Sequence, residues 1–259
     1  MKQFVKDKIT LLQGDCLELM KDIPDGSIDM ILADLPYGIT ACKWDTIIPF
    51  EPLWEQYKRV IKDNGAIVLF GSEPFSSLLR CSNLKIYKYD WIWEKDRPSN
   101  SVLAKKQPIR MHETISVFYK IQCLYFPVRE NKNRESIARS KRKYTDSSVQ
   151  SEHFNHKGII TKTLDCYPRS IQFFKKESNN QFKKQVFHPT QKPVALMEYL
   201  IKTYTNEGET VLDNVMGSGT TGIACINLKR NFIGMELNDK YFAIAEKRIK
   251  EHQRQLTIF

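Results

Sequence analysis

Seven short runs of β-branched and other apolar residues recur along the chain, and most are separated by stretches with helical periodicity. The runs cover residues 9–13, 28–33, 66–70, 87–93, 114–119, 210–212 and 231–235. Helix patterns cover 16–21, 50–61, 193–205, 220–228 and 240–253. Strands alternating with helices demand a mainly parallel sheet, because each crossover helix must bury its apolar stripe on one face of the sheet. No helix pattern separates 87–93 from 114–119, so these two runs are expected to pair as an antiparallel edge. The expectation is an α/β fold on a seven-stranded, mainly parallel sheet.

The chain has 259 residues, of which 41% are apolar, enough to bury one large core. Its 40 Lys and Arg against 30 Asp and Glu leave a formal charge of +10, which favours a polyanionic partner. The positive charge is concentrated centrally. Arg129, Lys132, Arg134, Arg139, Lys141, Arg142 and Lys143 fall within fifteen residues, and aromatics interleave with Lys at 173–176 and 182–184. We therefore divide the chain into 1–120, a basic insert at 121–187, and 188–259. Left alone, such a charge run reads first as a solvated loop. Six cysteines are scattered without a CxxC or Cys/His cluster, so no metal site or disulfide framework is expected. The first residues lack a signal-peptide pattern and no run reaches membrane-spanning length, so a soluble, cytoplasmic protein is expected.

Two motifs carry chemistry. Asp34-Leu35-Pro36-Tyr37 ends the second run, delivering a carboxylate, a rigid proline and an aromatic ring to the carboxyl edge of the sheet. Far downstream, Asp213-Asn214-Val215-Met216-Gly217-Ser218-Gly219-Thr220 reads as strand, glycine turn and helix start, where missing side chains let a bulky ligand approach main-chain amides. About twenty residues on, a second strand ends in Glu236, placed to accept from ribose hydroxyls. Residues 217–222 satisfy a GxGxxG spacing, but a nicotinamide-binding reading would also want a substrate domain after it, and none is expected here.

With these motifs the chain resembles the amino-group DNA methyltransferases, in the branch whose catalytic motif precedes the S-adenosylmethionine motif. The resemblance covers nearly the whole chain apart from the basic insert. It implies a Rossmann-like fold, methyl transfer from S-adenosylmethionine to adenine N6 in duplex DNA by base flipping, and a target-recognition role for residues 121–187. The seven basic residues from Arg129 to Lys143 would then contact DNA. An exocyclic amino nitrogen is a poor nucleophile because its lone pair is delocalised into the ring. Asp34 and the Leu35 carbonyl, directed by Pro36, would accept from that NH2, and Tyr37 would stack the extruded base. The cofactor would lie over Gly217, Ser218, Gly219 and Thr220, bordered by Asp34, with Glu236 on its ribose and Asp213 at its methionine amino end. Asp15 and Cys16, after the first strand, match the family position that meets the adenine, although Asp15 is equally suited to cap the helix at Cys16. Thr190 and Lys192 fit the element that meets the methionine carboxylate, and 188–193 also reads as a proline-bounded helix start. Two positions depart from the family pattern: most relatives carry proline at Leu35, and an aromatic where this chain has Val215.

Alternatives stay open. N4-cytosine methylation needs the same amino chemistry, although an initial Asp favours adenine where Ser is commoner in the cytosine group. RNA or a protein glutamine amide would be a different substrate class, and a DNA-binding regulator with a dead site a different function. Trp44-Asp45 reads as a loop closing over the site or as core packing. Residues 94–100, at the carboxyl end of a strand, read as a polar loop or as a contact to the target strand, and His112 and Glu113 are assigned no catalysis. The last five residues, Gln255-Leu256-Thr257-Ile258-Phe259, resemble the pentapeptide that docks on the bacterial sliding clamp, or fold back on their own sheet. The oligomeric state, a homodimer included, is not legible. The family resemblance places the protein in bacterial, phage or mobile-element settings such as restriction-modification.

Overall fold

The computed structural model describes residues 2–38, 45–131, 165–177 and 191–257. Packing divides them into a large unit, Met1–Phe126 with Ser170–Phe259, and a small one, Pro127–Arg169. In the small unit β7 (Glu130–Asn131) and β8 (Asp165–Cys166) pair antiparallel.

The large unit is an α/β layer structure on a nine-stranded sheet. Its strands are β1 (Gln3–Lys6), β2 (Ile9–Gln13), β3 (Ile28–Ala33), β4 (Ile61–Gly71), β5 (Tyr87–Glu94), β6 (His112–Phe118), β9 (Ile171–Phe173), β10 (Thr210–Asp213) and β11 (Asn231–Glu236). They lie in the order β1-β2-β11-β10-β3-β4-β6-β5-β9. All seven expected runs are in this sheet, and two edge strands, β1 and β9, extend it to nine. β5 and β6 pair antiparallel as expected, while β2, β11, β10, β3 and β4 run parallel.

Helices α1 (Cys16–Leu19), α2 (Phe50–Val60), α3 (Phe75–Ser82), α4 (Val194–Tyr204), α5 (Thr220–Asn227) and α6 (Asp239–Thr257) cover both faces. α3 has no counterpart in the expected pattern: it is only eight residues long and carries Ser76-Ser77, weak helix formers, in its first turn. β3 shows how the two-residue period divides the core. Met30 and Leu32 pack in one apolar layer with Leu196, Leu200 and Ile249, while Ile31 and Ala33 join Leu53, Trp54 and Tyr57 in the other. Fully buried side chains of this size each contribute about 1.5–3 kcal/mol.

Gln255, Leu256 and Thr257 continue α6, so the first three positions of the clamp-like pentapeptide are helical; Ile258 and Phe259 lie outside the described residues. Chemical denaturation should separate core from helix end. Leu32→Ala is expected to cost about 2–5 kcal/mol, whereas Leu256→Ala at the exposed end of α6 should stay within about 0.5 kcal/mol. Equal losses would refute this division of the core.

Candidate active site

The chain order reverses between β3 and β10. From β3 it proceeds through α2 to β4 on one side; from β10 it proceeds through α5 to β11 on the other. The crevice beyond the carboxyl ends of two such strands is where α/β sheets bind ligands. Val211 pairs with Met30 and Leu212 with Ile31, so this register brings Asp34 and Asp213, 179 positions apart in the sequence, to the same rim.

Asp34 is held from two sides. Its Oδ1 accepts from the Tyr37 hydroxyl at 2.5 Å, and its Oδ2 accepts from the Lys192 ammonium. Lys192 also stands 3.3 Å from Glu113, an ion pair without hydrogen-bond geometry, and lies 5.1 Å above the Phe70 ring. Glu113 in turn accepts from the fully buried Lys95 at 3.0 Å, which also donates to Ser99 Oγ at 2.7 Å. Burial pushes the Asp34 carboxyl above its ordinary range, opposed by Lys192. Burial also acts to raise Glu113, but Lys192 and Lys95 outweigh it and hold Glu113 low. Desolvation would lower Lys192, yet the two carboxylates keep it above an ordinary lysine.

This arrangement adds contacts that the sequence expectations did not include. The Lys192 ammonium, expected on a methionine carboxylate, pairs with Asp34 and Glu113. Glu113, assigned no role, is the centre of the ionic cluster. Lys95, read as part of a polar loop, is buried within it. The available signal was the placement of Lys95 and Glu113 at facing ends of β5 and β6, invisible until the register is known.

The 34–37 turn is braced further. Asp45 Oδ1 accepts from the main-chain amides of Tyr37 (2.8 Å) and Gly38 (2.9 Å), so Asp45 is a buried tie for this turn; Trp44 lies outside the described residues. Tyr37 stacks on Phe75 with centroids 5.0 Å apart, which covers one ring face. Burial and then the Asp34 charge push its hydroxyl far above an ordinary tyrosine, so it stays a donor. The Leu35 side chain is buried in the core, leaving main chain as its contribution to the rim.

At β10, Asp213 is buried and accepts from Thr221 Oγ1 at 2.5 Å and from the Val215 amide at 3.2 Å. Desolvation raises its carboxyl to about 7 despite these bonds. Gly217 adopts φ +52°, in the left-handed region, and no heavy atom comes within 4 Å of where a Cβ would stand. The backbone there faces open space, as a cradle for a ligand requires. Glu236 Oε2 accepts from the Gly217 amide at 3.0 Å and Oε1 from the Asn238 amide at 2.8 Å. Each oxygen keeps a second lone pair for a hydroxyl. Ser218 Oγ receives Arg248 at 2.9 Å, and Thr220 is buried at the start of α5.

Asp15 caps α1, accepting from the Leu17 amide at 2.8 Å, and the Gly14 amide donates to the Glu236 carbonyl at 3.0 Å, so β2 ends beside β11. Cys16 Sγ accepts from Asn214 Nδ2 at 3.4 Å, and Asn214 Oδ1 accepts from the Tyr57 hydroxyl at 2.6 Å. Asn214, unremarked in the sequence, is thus a buried link between the glycine loop and α2. In the small unit Arg129 forms a two-toothed ion pair with Asp165, at 2.9 and 3.1 Å, and lies 4.4 Å over the Tyr167 ring. Thr190, Lys132, Arg134, Arg139, Lys141, Arg142 and Lys143 lie outside the described residues.

A carboxylate turn and a glycine cradle at one switch point define a doubly wound α/β protein with a nucleotide-type cofactor site beside a polar reaction site. The chain belongs to the DNA methylase family, whose model matches residues 28–247. It is 33% identical to DNA adenine methyltransferase YhdJ of Escherichia coli (strain K12), over 95% of this chain and 84% of that protein. It is 29% identical to type II methyltransferase M.HinfI of Haemophilus influenzae, over 97% of this chain and 71% of the relative. Among solved structures it is similar to the M1.HpyAVI–SAM complex, with a TM-score of 0.60, 26% identity and coverage of 93% of this chain and 98% of that one. The fold is also shared with the cytosine-N4-specific PvuII DNA methyltransferase, with a TM-score of 0.63, 16% identity and coverage of 98% and 96%.

Asp213 generates a test of pH dependence. Its folded value near 7 exceeds the unfolded value of about 3.9, so its contribution to stability is complete below about pH 4 and is lost as pH rises through 7. Relative to wild type, Asp213→Asn should therefore gain stability between pH 4 and 7 in urea titrations. A difference that stays constant across that range contradicts the assignment.

Proposed function

We propose that this protein transfers a methyl group from S-adenosylmethionine to adenine N6 in duplex DNA, at a specific site and on an extruded base. The observation that carries this reading is the Asp34 carboxylate held by Lys192 and Tyr37 at the same rim as the open Gly217 backbone and Glu236. Membership of the DNA methylase family and similarity to a protein named DNA adenine methyltransferase support the reaction class and the base.

S-adenosylmethionine, when bound, supplies an electrophilic methyl group. The Gly217 to Thr220 segment and Glu236 would hold it, with Asp213 toward its amino end and Asp15 and Cys16 toward its adenine. Asp34 accepts from the substrate NH2 and the Leu35 carbonyl accepts the second N–H, localising the nitrogen lone pair. Lys192 opposes the burial that pushes the Asp34 carboxyl above its ordinary range, and Tyr37, backed by Phe75, offers its remaining face to the base. Stacking returns roughly 1–3 kcal/mol toward an extrusion cost of a few kcal/mol. The basic region 121–187 reads the target, with Arg129 to Lys143 contributing phosphate contacts.

The direct test incubates the protein with S-adenosylmethionine and unmethylated plasmid DNA, then digests the DNA to nucleosides for mass spectrometry. N6-methyladenine is expected, N4-methylcytosine would replace the base assignment, and neither product would overturn the function. Asp34→Ala should lower transfer at least about a hundredfold with cofactor affinity retained in calorimetry. Glu236→Ala should instead weaken cofactor binding about tenfold or more. In Lys192→Met the counter-charge is lost, Asp34 titrates higher, and the acid limb of the pH–rate profile should move to higher pH. A shift to lower pH would contradict the role given to Lys192.

A further inference from the structure

Between β5 and β6 the chain leaves the rim as a loop, residues 96–111, whose neck is closed by its own bonds. The Lys95 amide donates to the Met111 carbonyl (2.8 Å), and the Ser99 amide to the Arg110 carbonyl (3.3 Å). The Arg110 amide donates to Asn100 Oδ1 (2.5 Å), and Asn100 Nδ2 donates to the Pro108 carbonyl (3.2 Å). The Arg110 side chain ties the neck to Ser72 Oγ and the Glu73 carbonyl, just beyond β4. Beyond the neck, two helical turns hold the tip, with the Leu103 amide on Asn100 (2.9 Å) and the Lys106 amide on Leu103 (2.8 Å). Yet every residue from 101 to 109 is exposed, and Val102 is 95% exposed. An apolar side chain on a braced tip that packs on nothing does not contribute to the stability of its own fold.

We infer that the 96–111 loop is a wedge for the DNA duplex, with Val102 entering the base stack beside the extruded nucleotide while Lys105 and Lys106 take the flanking phosphates. This rests on the proposed DNA methyl transfer. Two observations select DNA as the occupant. The loop carries Arg97, Lys105, Lys106 and Arg110 against one acid, Asp96, which already accepts from the Lys176 amide at 2.8 Å. Its neck residue Lys95 pairs with Glu113, Glu113 pairs with Lys192, and Lys192 pairs with Asp34. The tip therefore projects from the rim at which the target amino group must arrive. Apolar wedges that fill or unstack a base step, flanked by cations for the backbone, are a recurrent means of distorting duplexes. Because the tip is cross-linked before DNA arrives, little ordering entropy opposes its insertion.

The test uses a duplex carrying the protein's site, found by modified-base sequencing, with the target adenine either paired or opposite a mismatch. Val102→Ser should slow transfer on the paired duplex about tenfold and reduce 2-aminopurine emission at the target position. On the mismatched duplex, which is already unpaired, Val102→Ser should stay within about twofold of wild type, and Val102→Leu should keep activity on both. Lys105→Glu with Lys106→Glu should lower the log–log salt slope of binding to a duplex by about two. Cofactor affinity should be unchanged in all of these variants. Equal loss for Val102→Ser on paired and mismatched duplexes, or full activity on both, overturns the wedge; so does an unaltered salt slope. A wild-type protein that methylates no DNA would instead remove the methyltransferase reading on which the wedge rests.

Discussion

The arrangement of the site depends on one buried chain of alternating charge, Asp34, Lys192, Glu113 and Lys95. Burying any one of these ions alone would cost several kcal/mol, and removing one partner from such a pair typically costs about 3–5 kcal/mol because it strands the other. The four charges cancel and thereby permit each other. They come from the end of β3, the segment before α4, the start of β6 and the end of β5, so the cancellation is satisfied only when four distant segments meet. The same condition bears on the state of the Asp34 carboxylate. Desolvation favours a protonated Asp34, a poor acceptor toward an NH2 donor, and the Lys192 charge opposes it. Ionic pairing that adds little net stability in this way sets the charge environment of Asp34.

Sheet topology explains why the reaction site and the cofactor cradle coincide although their motifs lie far apart in the sequence. Parallel strands present all their carboxyl ends to one rim, and the switch between β3 and β10 leaves that rim uncovered, since the helices following each strand depart to opposite sides. Asp34 and Asp213 are there by register. Their environments then diverge. Asp34 faces lysine, whereas Asp213 has only neutral donors and rises to about 7. A cationic amino group approaching Asp213 would favour its ionised form, while Asp34 is already supplied with a cation by its own chain.

Local periodicity revealed the elements whose burial is one-sided or complete. The strand runs and five helix patterns survive in the fold because apolar spacing is a property of contiguous residues. α3, short and serine-bearing, was not legible because its stability comes from Phe75 and Leu79 in a tertiary layer. The edge strands β1 and β9 were missed because edges carry fewer buried side chains, and β1 has a largely exposed pattern. At the site, Asp34, Tyr37, Gly217 and Glu236 could be picked out because a motif marks each. Lys95, Glu113, Asp45 and Asn214 could not. Their function is to hold another residue, and the partner is fixed by register between strands or by a turn, not by spacing along the chain. Lys192 was seen, but its pairing with Asp34 and Glu113 was not, since a lysine in a motif does not indicate which anions of its own chain it will meet.

The loop beyond β5 shares its foundations with the Asp34 carboxylate. Lys95 closes the neck through its amide and joins the charge chain through its ammonium; Glu113 follows the neck and joins Lys95 to Lys192. A displacement of the loop stem that carried Lys95 away would leave Glu113 with Lys192 alone, and Lys192 would then divide its charge differently between Glu113 and Asp34. The electrostatic environment of Asp34 is consequently tied to the position of a solvent-facing loop through three ion pairs, without any change in the strands. This also accounts for the use of buried ions where an apolar plug would fill the space. An apolar contact would hold the stem in place, but only a charged one makes the ionisation of Asp34 depend on the stem's position.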